Sequence, residues 1–138
     1  MNRAQLQQLS RTRLRDARAL LGAGQFAGAY YLAGYAVECA LKSCVARQVR
    51  RFDFPDKTLA NAAHTHDLEK LVKVAGLERD FSNERRLNPA LDLNWVVVKD
   101  WTVTVRYDVQ VPEALARELY SACTARTNGV IPWIRTRW

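Results

Sequence analysis

The sequence predicts an all-helical (all-α) protein, a single domain over residues 1–138, on three observations. Residues 2–21 repeat their leucines at helical spacing, and residues 25–49 are apolar on almost every face. Only one stretch, 101–111, alternates like a strand, and no second strand is present to complete its backbone hydrogen bonds. The length leaves room for one hydrophobic core. An apolar content of 49% excludes disorder, and 6 Gly with 4 Pro exclude a collagen-like or linker-like chain.

Leu6, Leu9, Leu14, Ala17, Leu20 and Leu21 share one side of the first helix, with Arg11, Arg15 and Arg18 in a separate narrow stripe. Arg13 falls inside the apolar arc, where it must snorkel or meet a carboxylate. Gly22 and Gly24 stop this helix. The second helix carries Phe26, Tyr30, Leu32, Tyr35, Val37, Ala40, Leu41 and Val45. A helix apolar all round belongs at the centre of a bundle, and Gly28, Ala29, Ala33, Gly34 and Ala36 allow close approach by its neighbours.

Residues 50–63, with Phe52 and Phe54, read as a partly packed loop. A short helix follows over 66–76, with Leu68, Leu71, Val72 and Ala75 on one face, Asp67 and Glu69 at its start and Gly76 as its stop. Another covers 78–87, and Pro89 opens a third that runs to about Trp101. Residues 101–111 form an extended crossing between helices. The last helix begins near Pro112 and turns Leu115, Leu119, Ala122 and Cys123 inward; Gly129 and Pro132 interrupt it before a short tail, 133–138.

Charge and cysteine usage narrow the function. Lys and Arg number 21 against 14 Asp and Glu, a net charge of +7. Sixteen of the basic residues are arginine, which favours forked contacts to phosphate or carboxylate. An acidic partner follows, although excess charge also serves solubility alone. Three cysteines, Cys39, Cys44 and Cys123, without a C-x-x-C pair argue against a disulfide framework or zinc knuckle and for a reducing, cytoplasmic setting. No signal peptide is expected. Residues 26–46 have the length to cross a bilayer, but Glu38 and Lys42 would each cost about 3 kcal/mol at its centre, so no membrane association is predicted.

Three constellations carry chemistry. Glu38 and Lys42, at i and i+4 on the most apolar helix, are either a simple ion pair or a buried pair lining a cleft. His64-Thr65-His66 lacks the further ligands of a metal site, so no metal is expected; His66 is an N-terminal cap, a polar anchor or a candidate catalytic acid/base. Arg106-Tyr107, close in sequence to Trp95, Lys99, Trp101 and Asp108, is either a base-stacking, phosphate-gripping element or a core edge closed by a salt bridge from Arg106 to Glu38 or Asp108. Phosphate-loop, dinucleotide, zincin and hydrolase signatures are absent, and no cofactor is expected.

The run from Gly28 to Lys42, with its A-x-E-x-x-L-K end, followed by His66-Asp67-Leu68-Glu69-Lys70-Leu71, resembles the HEPN family (higher eukaryotes and prokaryotes nucleotide-binding) over about residues 15–76. The Trp101…Arg106-Tyr107 element resembles one prokaryotic branch of it. The resemblance implies an up-and-down bundle of four to five helices, commonly a homodimer, acting beside a minimal nucleotidyltransferase in toxin–antitoxin or defence systems. Many such domains are metal-independent ribonucleases with an R-x(4–6)-H motif. Here neither His64 nor His66 has an arginine at that spacing, Arg51 being the nearest before them.

By position, Glu38, Lys42 and His66 carry over as nucleotide- or RNA-binding candidates, with Arg106, Tyr107 and Trp101 added from the branch. The expected function is a non-catalytic nucleotide- or RNA-binding module partnering a nucleotidyltransferase. The alternatives are a metal-independent endoribonuclease with a rearranged site, using His66, and a purely structural homodimeric scaffold.

Overall fold

The structure, a computed structural model, describes residues 1–138 and contains eight α-helices, one 3-10 helix and no strand. Helix α1 (Arg3–Gly22) begins in a capping box: Asn2 Oδ1 accepts from the Gln5 amide at 2.9 Å, and Gln5 Oε1 accepts from the Asn2 amide at 2.9 Å. Arg13 finds its carboxylate in Asp16, at 3.0 Å. The chain reverses where Gly24 takes φ 74°, a value that favours glycine. Helix α2 (Phe26–Arg47) then runs back along α1, so that Ser10 donates to the Ala36 carbonyl at 2.8 Å and Leu20 lies against Gly28.

Residues 50–53 close a turn, with the Asp53 amide donating to the Arg50 carbonyl and Phe52 at φ 72°. This turn directs Phe52 and Phe54 outward, 91% and 94% exposed, instead of into a packed loop. Residues 57–63 are helix α3 (Lys57–Ala63), capped by Asp56 on the Leu59 amide. It buries no residue fully, and its one apolar pair against the core, Leu59 and Ala63, is too short a face for periodicity to detect.

Helix α4 (Leu68–Val74) is capped by Asp67, which accepts from the Lys70 amide at 3.1 Å, and not by His66, and it has the expected stop at Gly76, φ 73°. Helix α5 (Glu78–Leu87) and helix α6 (Pro89–Lys99), with proline in its first turn, also follow the sequence reading. Helix α7 (Glu113–Thr124) buries Leu119, Ala122 and Cys123; Leu115 is 42% exposed and Ala116 takes the inward position instead. Gly129 and Pro132 do not interrupt a helix but start one, α8 (Val130–Arg135). Gly129 is its N-cap, and Pro132 stands in the first turn, where an amide lacks a partner anyway. Five of the eight helices have ten or more residues, so the expected four to five correspond to the long ones with three short helices added.

Residues 101–111 are not extended throughout. Val103–Tyr107 wind into a 3-10 helix, with extended Thr102 and Asp108 on either side. Without a partner strand, the backbone satisfies itself locally: the Val105 amide donates to the Thr102 carbonyl and the Asp108 amide to the Val105 carbonyl.

Helix α2 is the spine. It touches α1, α4, α7, α8 and the 3-10 helix, and Ala33, Ala36, Val37, Ala40 and Leu41 are wholly buried. No helix is long and apolar enough to cross a membrane. The closest approach to the spine is at Gly34, where a β-carbon would stand 2.3 Å from the Trp101 ring. Gly34→Ala should therefore lower stability by about 1–3 kcal/mol through overpacking, despite alanine's better helix propensity. Calorimetric unfolding checks this, and an unchanged or raised Tm would contradict the packing of Trp101 on α2.

Candidate functional site

One turn of α2 places Glu38 and Lys42 on the side that α4 approaches. Lys42 Nζ donates to Glu38 Oε1 at 2.9 Å, and His66 Nδ1 donates to the same oxygen at 2.8 Å. His66 reaches it from the short bend ahead of α4, where Thr65 Oγ1 accepts from the Asp67 amide. The trio expected from the sequence is thus one cluster. Its members differ in exposure: the Glu38 side chain is 2% exposed, Lys42 23% and His66 50%. Glu38 is consequently a buried carboxylate at the base, and His66 its solvent-facing end.

A carboxylate only accepts, so the shared bond requires the hydrogen on Nδ1. That leaves His66 Nε2 as an acceptor in the neutral ring or a second donor in the cation. The other Glu38 oxygen, Oε2, is buried without any hydrogen-bond partner. Glu38 and His66 meet no third His, Cys, Asp or Glu at which a metal ligand set would close.

Beside His66 opens a cleft of about 210 Å³, lined by the start of α4, Lys99, Trp101, Thr102 and Val103. Trp101 was a candidate for stacking on a base, and the structure corrects this. It is 1% exposed, laid on Gly34 and stacked with Tyr31 at 6.2 Å, so both of its faces serve the core. It forms the wall of the cleft, and its indole Nε1 is buried without a partner. Lys99 is the residue the sequence did not assign. Its signal was the basic last turn of α6, two residues before the tryptophan.

Arg106 and Tyr107 stand apart from this cluster. Both are exposed on the 3-10 helix and bind each other, with Arg106 Nη2 donating to the Tyr107 hydroxyl at 2.9 Å and the guanidinium 4.8 Å from the ring. The salt bridge from Arg106 to Glu38 or Asp108 does not form. His64, exposed at the end of α3, joins no side-chain hydrogen bond.

Thiol chemistry is suppressed around the site. Burial, with the neighbouring Glu38 charge adding, pushes the Cys39 thiol up to about 11, and burial does the same to Cys44. Cys123 is raised further by complete burial, and burial lifts the Tyr35 hydroxyl to about 12. None of the three thiols is a nucleophile at neutral pH. The fold and site define an all-helical protein with a buried carboxylate holding a lysine and a histidine at a cleft. No protein-family model, curated protein or solved structure matches the chain.

Glu38→Ala should cost about 3 kcal/mol, because it strands a partly buried ammonium. The double change Glu38→Leu with Lys42→Met should be far milder, since it removes both charges together. Equal losses in the two variants, by urea unfolding, would contradict burial of the pair. Alkaline stability follows from the thiols. Below their ordinary value of 9.0 both folded and unfolded chains keep the protons and stability is full. From 9.0 to about 11 the unfolded chain releases them first, so stability falls. Tm measured across that window should drop, and less steeply in a Cys39→Ala, Cys44→Ala variant.

Proposed function

We propose that this chain is a cytoplasmic, HEPN-like module that binds a nucleotide or RNA at the His66 cleft without cleaving it. The observation that carries the reading is the histidine itself, anchored through Nδ1 to a buried carboxylate, its ring half exposed at a cleft that Lys99 also lines. An imidazole held in this way presents one fixed hydrogen-bonding atom at the mouth of a cleft. Lys99 adds an ammonium that suits a phosphate oxygen, and the +7 net charge draws anionic ligands in.

The resemblance of residues 15–76 to HEPN domains supports the same assignment, and the missing R-x(4–6)-H pattern supports binding over cleavage. The reading includes a nucleotidyltransferase partner, in a toxin–antitoxin or defence setting, and self-association as a homodimer. Leu87, Leu93 and Val96, exposed on the adjoining helices α5 and α6, supply apolar surface for such contacts.

A second reading is favoured by the same bond. Glu38 orients His66 as a carboxylate orients a catalytic imidazole, which fits a metal-independent endoribonuclease with His66 as acid/base. One experiment separates the two. Wild type and His66→Ala are incubated with mixed RNAs in chelator, and ATP and short RNA are titrated against both at two salt concentrations. Binding without cleavage, weakened about tenfold or more in His66→Ala, is the expected result. Cleavage by wild type that His66→Ala abolishes would replace the binding module with the nuclease. Absence of any binding at low salt would leave a structural homodimeric scaffold.

A further inference from the structure

Away from the His66 cluster, a hollow of about 360 Å³ lies where α1 meets α7 and α8. Gln8, Arg11, Arg15 and Arg18 from α1, Tyr120 from α7 and Arg135 from α8 line it, and no Asp or Glu does. We propose that this hollow is a binding site for the phosphate backbone of a single-stranded oligonucleotide, separate from the His66 cleft.

Four guanidiniums line this one hollow, and none has a carboxylate partner. Arg11 and Arg135 both lie over the ring of Trp138, at 4.8 and 5.4 Å, so one aromatic holds two like charges in place. Partial burial, with repulsion from Arg11 adding, lowers the Arg135 pKa, and no acidic neighbour offsets it. Forks of this kind match phosphate oxygens two at a time.

The dimensions select the form of the anion. Positions 11, 15 and 18 fall on one face of α1 over about 10 Å of helix, at about 1.5 Å per residue. That row is longer than one phosphate group, so it suits successive phosphates of a chain over a single free phosphate. The hollow is on the scale of a small-ligand site, roughly 300–1,000 Å³, and Tyr120 in its wall is reached only by an unpaired base, which favours a single strand over a duplex. Tyr120 in the wall offers a ring against which a base stacks. The arginine stripe on α1 was visible in the sequence, but Arg135 and Tyr120 join it only through the packing of α7 and α8.

The test uses fluorescence anisotropy of a labelled short single-stranded RNA at about 50 mM and about 200 mM salt. The proteins are wild type, Arg15→Glu/Arg18→Glu, and Arg79→Glu/Arg86→Glu, which changes net charge equally at exposed positions on α5. Circular dichroism confirms that each variant folds, and Arg15→Gln/Arg18→Gln replaces the reversal if it does not. The groove variant should lose about tenfold or more in affinity, with a salt slope shallower by roughly 1.4, while the α5 variant stays within about twofold of wild type.

Equal losses in both variants would reduce the effect to net charge and overturn the site. So would undiminished binding by the groove variant, or binding of anionic vesicles with no binding of RNA. His66→Ala run in parallel separates the two sites: loss there with an unaffected groove variant rejects the groove alone, and the reverse rejects the cleft alone.

Discussion

A carboxylate buried in the most apolar helix is the constraint around which the rest is arranged. Taking Glu38 out of water is unfavourable by several kcal/mol, and only close cationic donors offset it. The chain supplies Lys42 from one turn further along α2 and His66 from 28 residues away, both on a single oxygen. The second donor ties the bend before α4 to the spine, so the position of α4 is linked to a residue in the core.

The same spine explains where the sequence was readable and where it was not. Helices α1, α4, α5 and α6 announce themselves through apolar periodicity, acidic residues at the start of α4, glycine stops and a proline at a first turn, all of them local signals. Glu38, Lys42 and His66 were legible because a charge on an all-apolar helix must find partners. Helix α3 escaped because only Leu59 and Ala63 of it touch the core, and α8 because Gly129 and Pro132 read equally well as a stop or a start. Alternation over 101–111 suggested extended chain, but the choice between strand and 3-10 helix rests on whether a neighbour offers hydrogen bonds. That is a tertiary fact. The choice between base stacking and core edge at Trp101 was open for the same reason, since its partner Gly34 lies 67 residues away and only the fold brings them together.

Cationic character is divided between two settings with different chemistry. At the His66 cleft the charges are mixed: Lys99 and His66 face Asp67 and Glu69 across the same opening, and Asp67 is already engaged in capping α4. Such a place discriminates by hydrogen-bond pattern, because a bare phosphate meets repulsion as well as attraction there. In the α1–α7–α8 hollow the charge is of one sign and carried by arginine alone. That setting attracts any polyanion and reads little of its sequence.

The pairing of these two settings on one small chain favours a ligand that has both kinds of group. A mononucleotide would satisfy the cleft and leave the arginines with nothing to neutralise. A simple polyanion would satisfy the arginines and ignore the anchored imidazole. An oligonucleotide has a repeating phosphate to bind without regard to sequence, and base edges to be read by fixed donors and acceptors. The rigidity of His66 then matters more than its basicity. A ring pinned through Nδ1 to a buried oxygen loses little entropy on meeting a ligand, so the buried carboxylate acts on affinity through preorganisation at the surface it never reaches.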